Sequence, residues 1–261
     1  MKQMTGRLWE ALSAIWPSTN HGSLPERVTT AITRNDDISE VLVKLIQFGV
    51  FALWGIAYLA APQPNPETIS RVPLVISIYL IFTLIMLFIA LTRRTPVWLI
   101  YLSIIVDMVL LTYLIWSFHI QYGQDASFSL KVVEVMNFFV LISLRALRFE
   151  ARYIIAAGIM AVLGWTALVT YVVSIDPANP MITRDYVTYI TSNSVLIGAE
   201  VSKIISMIMF TAILAIAVRR GHHFLISSVA EASAAQDLSR FMASSVAEQI
   251  RDADQSIQAG E

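Results

Sequence analysis

Five side chains could do chemistry in the middle of apolar sequence. Asp107 stands in YLSIIVDMVLLTYL, and Glu134 and Asn137 lie three residues apart in SLKVVEVMNFFV. Glu200 and Lys203 repeat that spacing in IGAEVSKIISM. A three-residue step puts both members of a pair on one helix face, so Glu200 and Lys203 can form an intrahelical ion pair. A carboxylate in an apolar span is costly and must face a protein interior, pair, or take up a proton. Two readings follow. Each group fixes helix packing by hydrogen bonding, or the five converge on one polar pocket that takes a proton, a cation or a small-molecule or lipid ligand.

The elements that must position them are membrane helices. Of 261 residues, 56% are hydrophobic and 14% charged, against about a quarter charged in ordinary soluble domains. The apolar residues fall into six blocks near 42–61, 72–92, 97–117, 130–145, 153–175 and 194–218. Each approaches the roughly 20 residues a spanning helix needs, the fourth being the shortest. Backbone groups find no partner in lipid, so the blocks must be helical. The predicted fold is all-α and polytopic: a polar to amphipathic region 1–40, a six-helix membrane domain 41–220, and a helical linker 221–261 continuing the sixth span. In the first region Met4, Leu8, Leu12 and Ile15 recur at helical spacing. Asp37 and Glu40 have the spacing of a capping box, which predicts a helix start there.

Basic residues orient the chain. Lys2, Arg7, Arg27, Arg34, Lys44, Arg93, Arg94, Arg145, Arg148, Arg152, Arg219 and Arg220 fall on one side; Arg71, Lys131 and Arg184 fall on the other. Twelve against three places both termini in the cytoplasm. In this reading Arg93, Arg94, Arg145, Arg148, Arg152, Arg219 and Arg220 are membrane-edge charges. The triplet at 145, 148 and 152 has voltage-sensor spacing, but it is short and interrupted by Glu150. The loops at 61–71 and 176–193 contain prolines and belong outside.

Several classes are excluded or disfavoured. A net charge of −1 gives no field for nucleic acid. The absence of cysteine excludes disulfides and thiol chemistry. His222 and His223 are adjacent and diverge by about 100° on a helix, so they do not share a metal. There is no phosphate-binding loop and no nucleophile motif, so no catalytic residue, metal site or cofactor is expected in this chain. The alternative function, a six-helix ion channel or transporter using the intramembrane carboxylates, lacks a filter sequence and paired broken helices.

Beyond Gly221 the residue types favour helix. Leu225, Val229, Ala232, Gln236 and Ser239 form a thin seam, as do Leu238, Phe241, Met242 and Val246. A thin seam of small residues suits a switchable parallel dimer and equally a poorly packed linker.

The stretch Asp237–Ile250, DLSRFMASSVAEQI, resembles the segment that precedes the catalytic domain in bacterial membrane-bound class III adenylate cyclases. Leu238, Arg240, Phe241, Ser244, Val246 and Ala247 carry the likeness, together with the six-helix layout; the family's proline is replaced by Ser245. The resemblance implies a multi-pass protein of the bacterial inner membrane and a homodimer. It implies a membrane domain that acts as anchor or receptor, and a transducer helix leading to a C-terminal catalytic domain not included in this sequence. ATP and a divalent metal would serve only that domain.

Overall fold

The computed structural model describes residues 26–60, 71–92, 95–175 and 181–258, with side-chain surroundings described only between 38 and 232. The amphipathic N-terminal pattern, the proline loop at 61–70, and Arg93 and Arg94 lie outside the described residues. Residues 35–219 form one compact unit, and a second comprises residues before 35 and after 219, helical where described.

The elements are α1 (Glu26–Ala60), α2 (Val72–Thr92), α3 (Val97–Gln121), α4 (Met136–Leu144), α5 (Ala151–Ile175), α6 (Tyr186–Thr191) and α7 (Ile197–Gln258). Among the described residues there are no strands, only a single bridge between Ile182 and Val195. Five segments are long and apolar enough to cross a membrane: Ile38–Ala60, Val72–Thr92, Val97–Gln121, Ala151–Ile175 and Ile197–Val229. The protein is an all-α polytopic membrane protein.

The fourth predicted block differs. It is a chain of short pieces: 3-10 turns at Ala126–Lys131 and Val133–Val135, nine residues of α4, and another 3-10 turn at Arg145–Arg148. Nine α-helical residues rise only about 14 Å, half the roughly 30 Å of hydrocarbon. Extended Val132 breaks the helical path at one end, and Phe149, left-handed at φ 55°, ends it at the other. The segment fits because it is inside protein: Leu130, Phe138, Leu141 and Ile142 are almost fully buried. Irregular backbone at membrane depth is tolerated only in such a setting.

The start of α1 also differs from expectation. The helix begins at Glu26, so Asp37 and Glu40 lie inside it and do not cap it.

The core is built on α5, which packs against α3 and α4. Tyr153, Ile154, Ala157, Gly158, Ala161, Trp165, Leu168 and Val172 line its buried face at steps of three and four. Ile159 and Leu163 on the opposite face stay exposed, as a lipid-facing surface requires. Small residues let neighbours close in. A Cβ on Gly158 would meet Thr211 of α7 at 2.3 Å, and one on Gly164 would meet Thr112 of α3 at 2.5 Å. Close approach at small residues replaces the hydrophobic driving force that lipid cannot supply.

Candidate functional site

Three polar features occupy the compact unit. The first is a buried charge cluster. Glu40, Lys44 and Gln47 sit at steps of four and three on α1, a polar stripe in an apolar span, and each is at least 98% buried. Lys44 donates to Gln47 Oε1 at 3.0 Å and to Ser103 Oγ at 2.5 Å. Gln47 Nε2 donates to the Tyr79 hydroxyl. Arg145 Nη2 donates to Asp107 Oδ2, and Arg148 Nη1 donates to Glu40 Oε2. The Arg148 guanidinium also stacks on Tyr153 at 4.6 Å. Lys44 lies within electrostatic reach of all four other charges. Three cations therefore face two carboxylates with almost no water contact.

Arg145 and Arg148, expected at the membrane edge as ordinary topology charges, turn inward instead. Arg145 and Arg148 are 1% and 6% exposed and are committed to internal ion pairs. The physical reason is the 3-10 turn they sit on, which closes the broken segment and turns both side chains inward. Arg152 is the outward member, half exposed and paired with Glu150 at 2.5 Å.

The second feature is a clamp on α7. Glu200 accepts from Lys203 at 2.9 Å and from the Trp165 indole N–H at 3.1 Å. Lys203 also donates to the Leu130 carbonyl at 2.6 Å and lies 4.7 Å from the Trp165 ring centre. Lys131 donates to the carbonyls of Tyr189 and Ser192. Together these bonds tie α7, α5, the broken segment and the α6 loop. At the mouth of that loop Asp185 caps α6, accepting from Thr188 N–H at 2.8 Å and Thr188 hydroxyl at 2.6 Å. These bonds hold the exposed Asp185 carboxyl below its usual range.

The third feature is a cavity of about 350 Å³ between α1, α2, α3 and the broken segment. Six aromatic rings line it, among them Phe51 stacked on Tyr79 at 3.5 Å between centres. Its polar wall is Gln121, Glu134 and Asn137. Tyr79 belongs both to this wall and to the charge cluster.

The five residues singled out from sequence are thus divided. Glu134 and Asn137 share the cavity, Glu200 and Lys203 share the α7 clamp, and Asp107 is in the charge cluster. A single common pocket is not what the chain builds, because the helices turn these groups toward different neighbours. Sequence reasoning missed Glu40, Lys44, Gln47 and Tyr79. The signal was present in the four-and-three spacing of Glu40, Lys44 and Gln47, read instead as a cap and a topology charge. Among the described residues no group of three or more His, Cys, Asp or Glu stands close enough to hold a metal ion.

In the second unit, α7 runs without a break through Arg219 and Arg220 to Gln258. Leu225 and Val229 are 45% and 44% exposed, and Ala232 is exposed as well. Leu238, Arg240, Phe241 and Val246 lie in the helix, but their side-chain surroundings are outside the described residues. The fold and its buried polar groups define the class: a helical multi-pass membrane protein with an interior charge network and a long exit helix. No family model, curated protein or solved structure matches the chain.

Proposed function

We propose that this chain is the membrane receptor and transducer module of an adenylate cyclase of the bacterial inner membrane. It dimerises and couples a ligand-responsive membrane domain to a C-terminal catalytic domain, with both termini cytoplasmic. The observation that carries the reading is α7: one helix from the Glu200–Lys203 clamp to Gln258, passing through the cyclase-like stretch Asp237–Ile250. A continuous helix transmits rotation or displacement that a flexible linker would absorb. Its foot is anchored by the clamp, and Leu225 and Val229 leave an apolar stripe for a twin helix.

Pairing of the carboxylates weighs against the channel or transporter alternative. Asp107, Glu40 and Glu200 each already have a cationic partner, which leaves Glu134 alone without an ion pair among the four, whereas a cation pathway needs a series of acidic groups free to exchange. The cavity supplies the ligand site of the receptor, for a small molecule or a lipid. ATP and a divalent metal are used by the catalytic domain alone.

The test is cysteine scanning from Leu225 to Phe241 in this cysteine-free chain, in its native membrane. Disulfide formation should peak every three to four residues, with Leu225 and Val229 among the maxima. Uniform or absent crosslinking refutes the paired transducer.

A further inference from the structure

The cavity carries a more specific reading. Glu134 is the one acidic residue in the lining, and among the described residues no lysine, arginine or histidine lines the space. Glu134 makes no ion pair among the described residues, unlike Asp107, Glu40 and Glu200. Beside it, Gln121 is 8% exposed and its carbonyl oxygen has no hydrogen-bond partner among the described residues. Asn137 adds a further polar group on the same wall. The rest of the lining is largely aromatic and aliphatic, including Phe51, which stacks on Tyr79 and meets Trp54 edge-on.

The acceptors on this wall include the Glu134 carboxylate and the Gln121 carbonyl oxygen, and the latter has no hydrogen-bond partner among the described residues. Ring faces carry negative potential and attract cations, most strongly where water is thinned out. An apolar wall with a few convergent polar groups is how small-molecule sites are built, and about 350 Å³ lies in their usual size range. An anionic ligand would meet Glu134 with no counter-charge. A neutral apolar ligand would leave the buried Gln121 oxygen unsatisfied, which costs binding free energy.

We infer that the cavity bounded by Glu134, Gln121 and the Phe51–Trp54–Tyr79 rings binds a small organic ammonium ion. The ligand has one protonated amine on an aromatic or short aliphatic body. The ammonium donates to the Glu134 carboxylate and to Gln121 Oε1, while the body packs on the rings. A volume of about 350 Å³ holds one ring and a short chain. The inference rests on the receptor reading for its meaning in signalling. Binding is measured directly, so failure to bind and failure to couple are separate results.

The probe is phenethylammonium, with 2-phenylethanol and 3-phenylpropionate as neutral and anionic analogues. The full chain is placed in phosphatidylglycerol nanodiscs, and calorimetric titration is corrected by empty discs. Phenethylammonium should bind at least tenfold more tightly than the alcohol and the carboxylate. Glu134→Gln should weaken phenethylammonium at least tenfold and leave the alcohol unchanged. Equal affinity for all three probes, preference for the anion, or no effect of Glu134→Gln overturns the inference. Binding of none of them also overturns it. An independent measurement avoids reliance on that variant folding. In Ala57→Cys, a near-isosteric change on the cavity wall, maleimide labelling should be slowed by phenethylammonium and not by 3-phenylpropionate. Labelling rates unaffected by the amine count against the site. Replacing a third of the lipid with phosphatidylethanolamine should leave binding intact. Loss of binding there would assign the cavity to lipid headgroups and overturn the soluble-amine reading.

Discussion

Replacing Asp107 by Asn should be among the most damaging single changes in the membrane domain. Asp107 is fully buried and pairs with Arg145, which is 1% exposed. In Asp107→Asn the cluster goes from three cations facing two carboxylates to three facing one. Arg145 loses its acceptor, and its Nε and Nη1 atoms already lack protein partners. Removing one member of a buried pair typically costs about 3–5 kcal/mol, because the survivor is a buried, uncompensated charge. A surface pair would cost about 0–1 kcal/mol, so the two cases are easily separated. At about 1.4 kcal/mol per tenfold, the folded-to-unfolded ratio should drop by a factor between roughly 10² and a few times 10³. The assay is equilibrium unfolding in mixed micelles for Asp107→Asn, Arg145→Met and the double variant Asp107→Leu/Arg145→Met. The double variant should regain most of the loss, since apolar groups of similar volume often replace a buried pair at little cost. Single variants that each cost under about 1 kcal/mol and simply add would refute the buried-pair account.

Gly158→Ala should destabilise the packing of α5 on α7 by about 1–3 kcal/mol, because the new methyl meets the Thr211 Cβ as well as its branches; Thr211→Ala should relieve part of the loss in the same unfolding assay. Gly164→Ala, facing the Thr112 hydroxyl, should cost less, since that oxygen alone crowds the methyl. Trp165→Phe keeps an aromatic ring but removes the donor to Glu200, and should lower stability by about 1–2 kcal/mol while leaving the fold intact by circular dichroism. Asp185 has its carboxyl held below its ordinary value of 3.8 by the Thr188 hydroxyl and then the Thr188 N–H. Its capping contribution is therefore full above that value and is lost as pH falls through the lower folded-state value. The protection factors of the 186–191 amides, relative to intrinsic exchange at each pH, should fall only in acid, and Asp185→Asn should remove that change in protection.

Much of this architecture is legible in the sequence because lipid leaves the backbone few options. Five of the six apolar blocks are long helices, and the polar tail beyond Gly221 continues the last of them. The fourth block shows where hydropathy stops informing. It is apolar enough to resemble a span, yet Ser127, Ser129, Lys131, Glu134 and Asn137 place polar groups where a buried irregular segment can use them. Burial of that segment is a tertiary fact, invisible to a window of residues. Arg145 and Arg148 mislead for the same reason: arginines beside an apolar block usually face headgroups, and only the turn at 145–148 reveals that they face inward. The Glu200–Lys203 spacing announces their pairing, but the partners that complete it, Trp165 and the Leu130 carbonyl, are 35 and 73 residues away. Of the cavity, sequence reveals Glu134 and Asn137 as neighbours and nothing of the rings opposite.

The most direct measurement of the central claim is cyclic AMP in a bacterium lacking its own adenylate cyclase but expressing the native gene that encodes this chain. The account predicts cyclic AMP accumulation and a membrane polypeptide clearly heavier than 261 residues, detected with an antibody to residues 221–250. No cyclic AMP, with a polypeptide no larger than this chain, would contradict it.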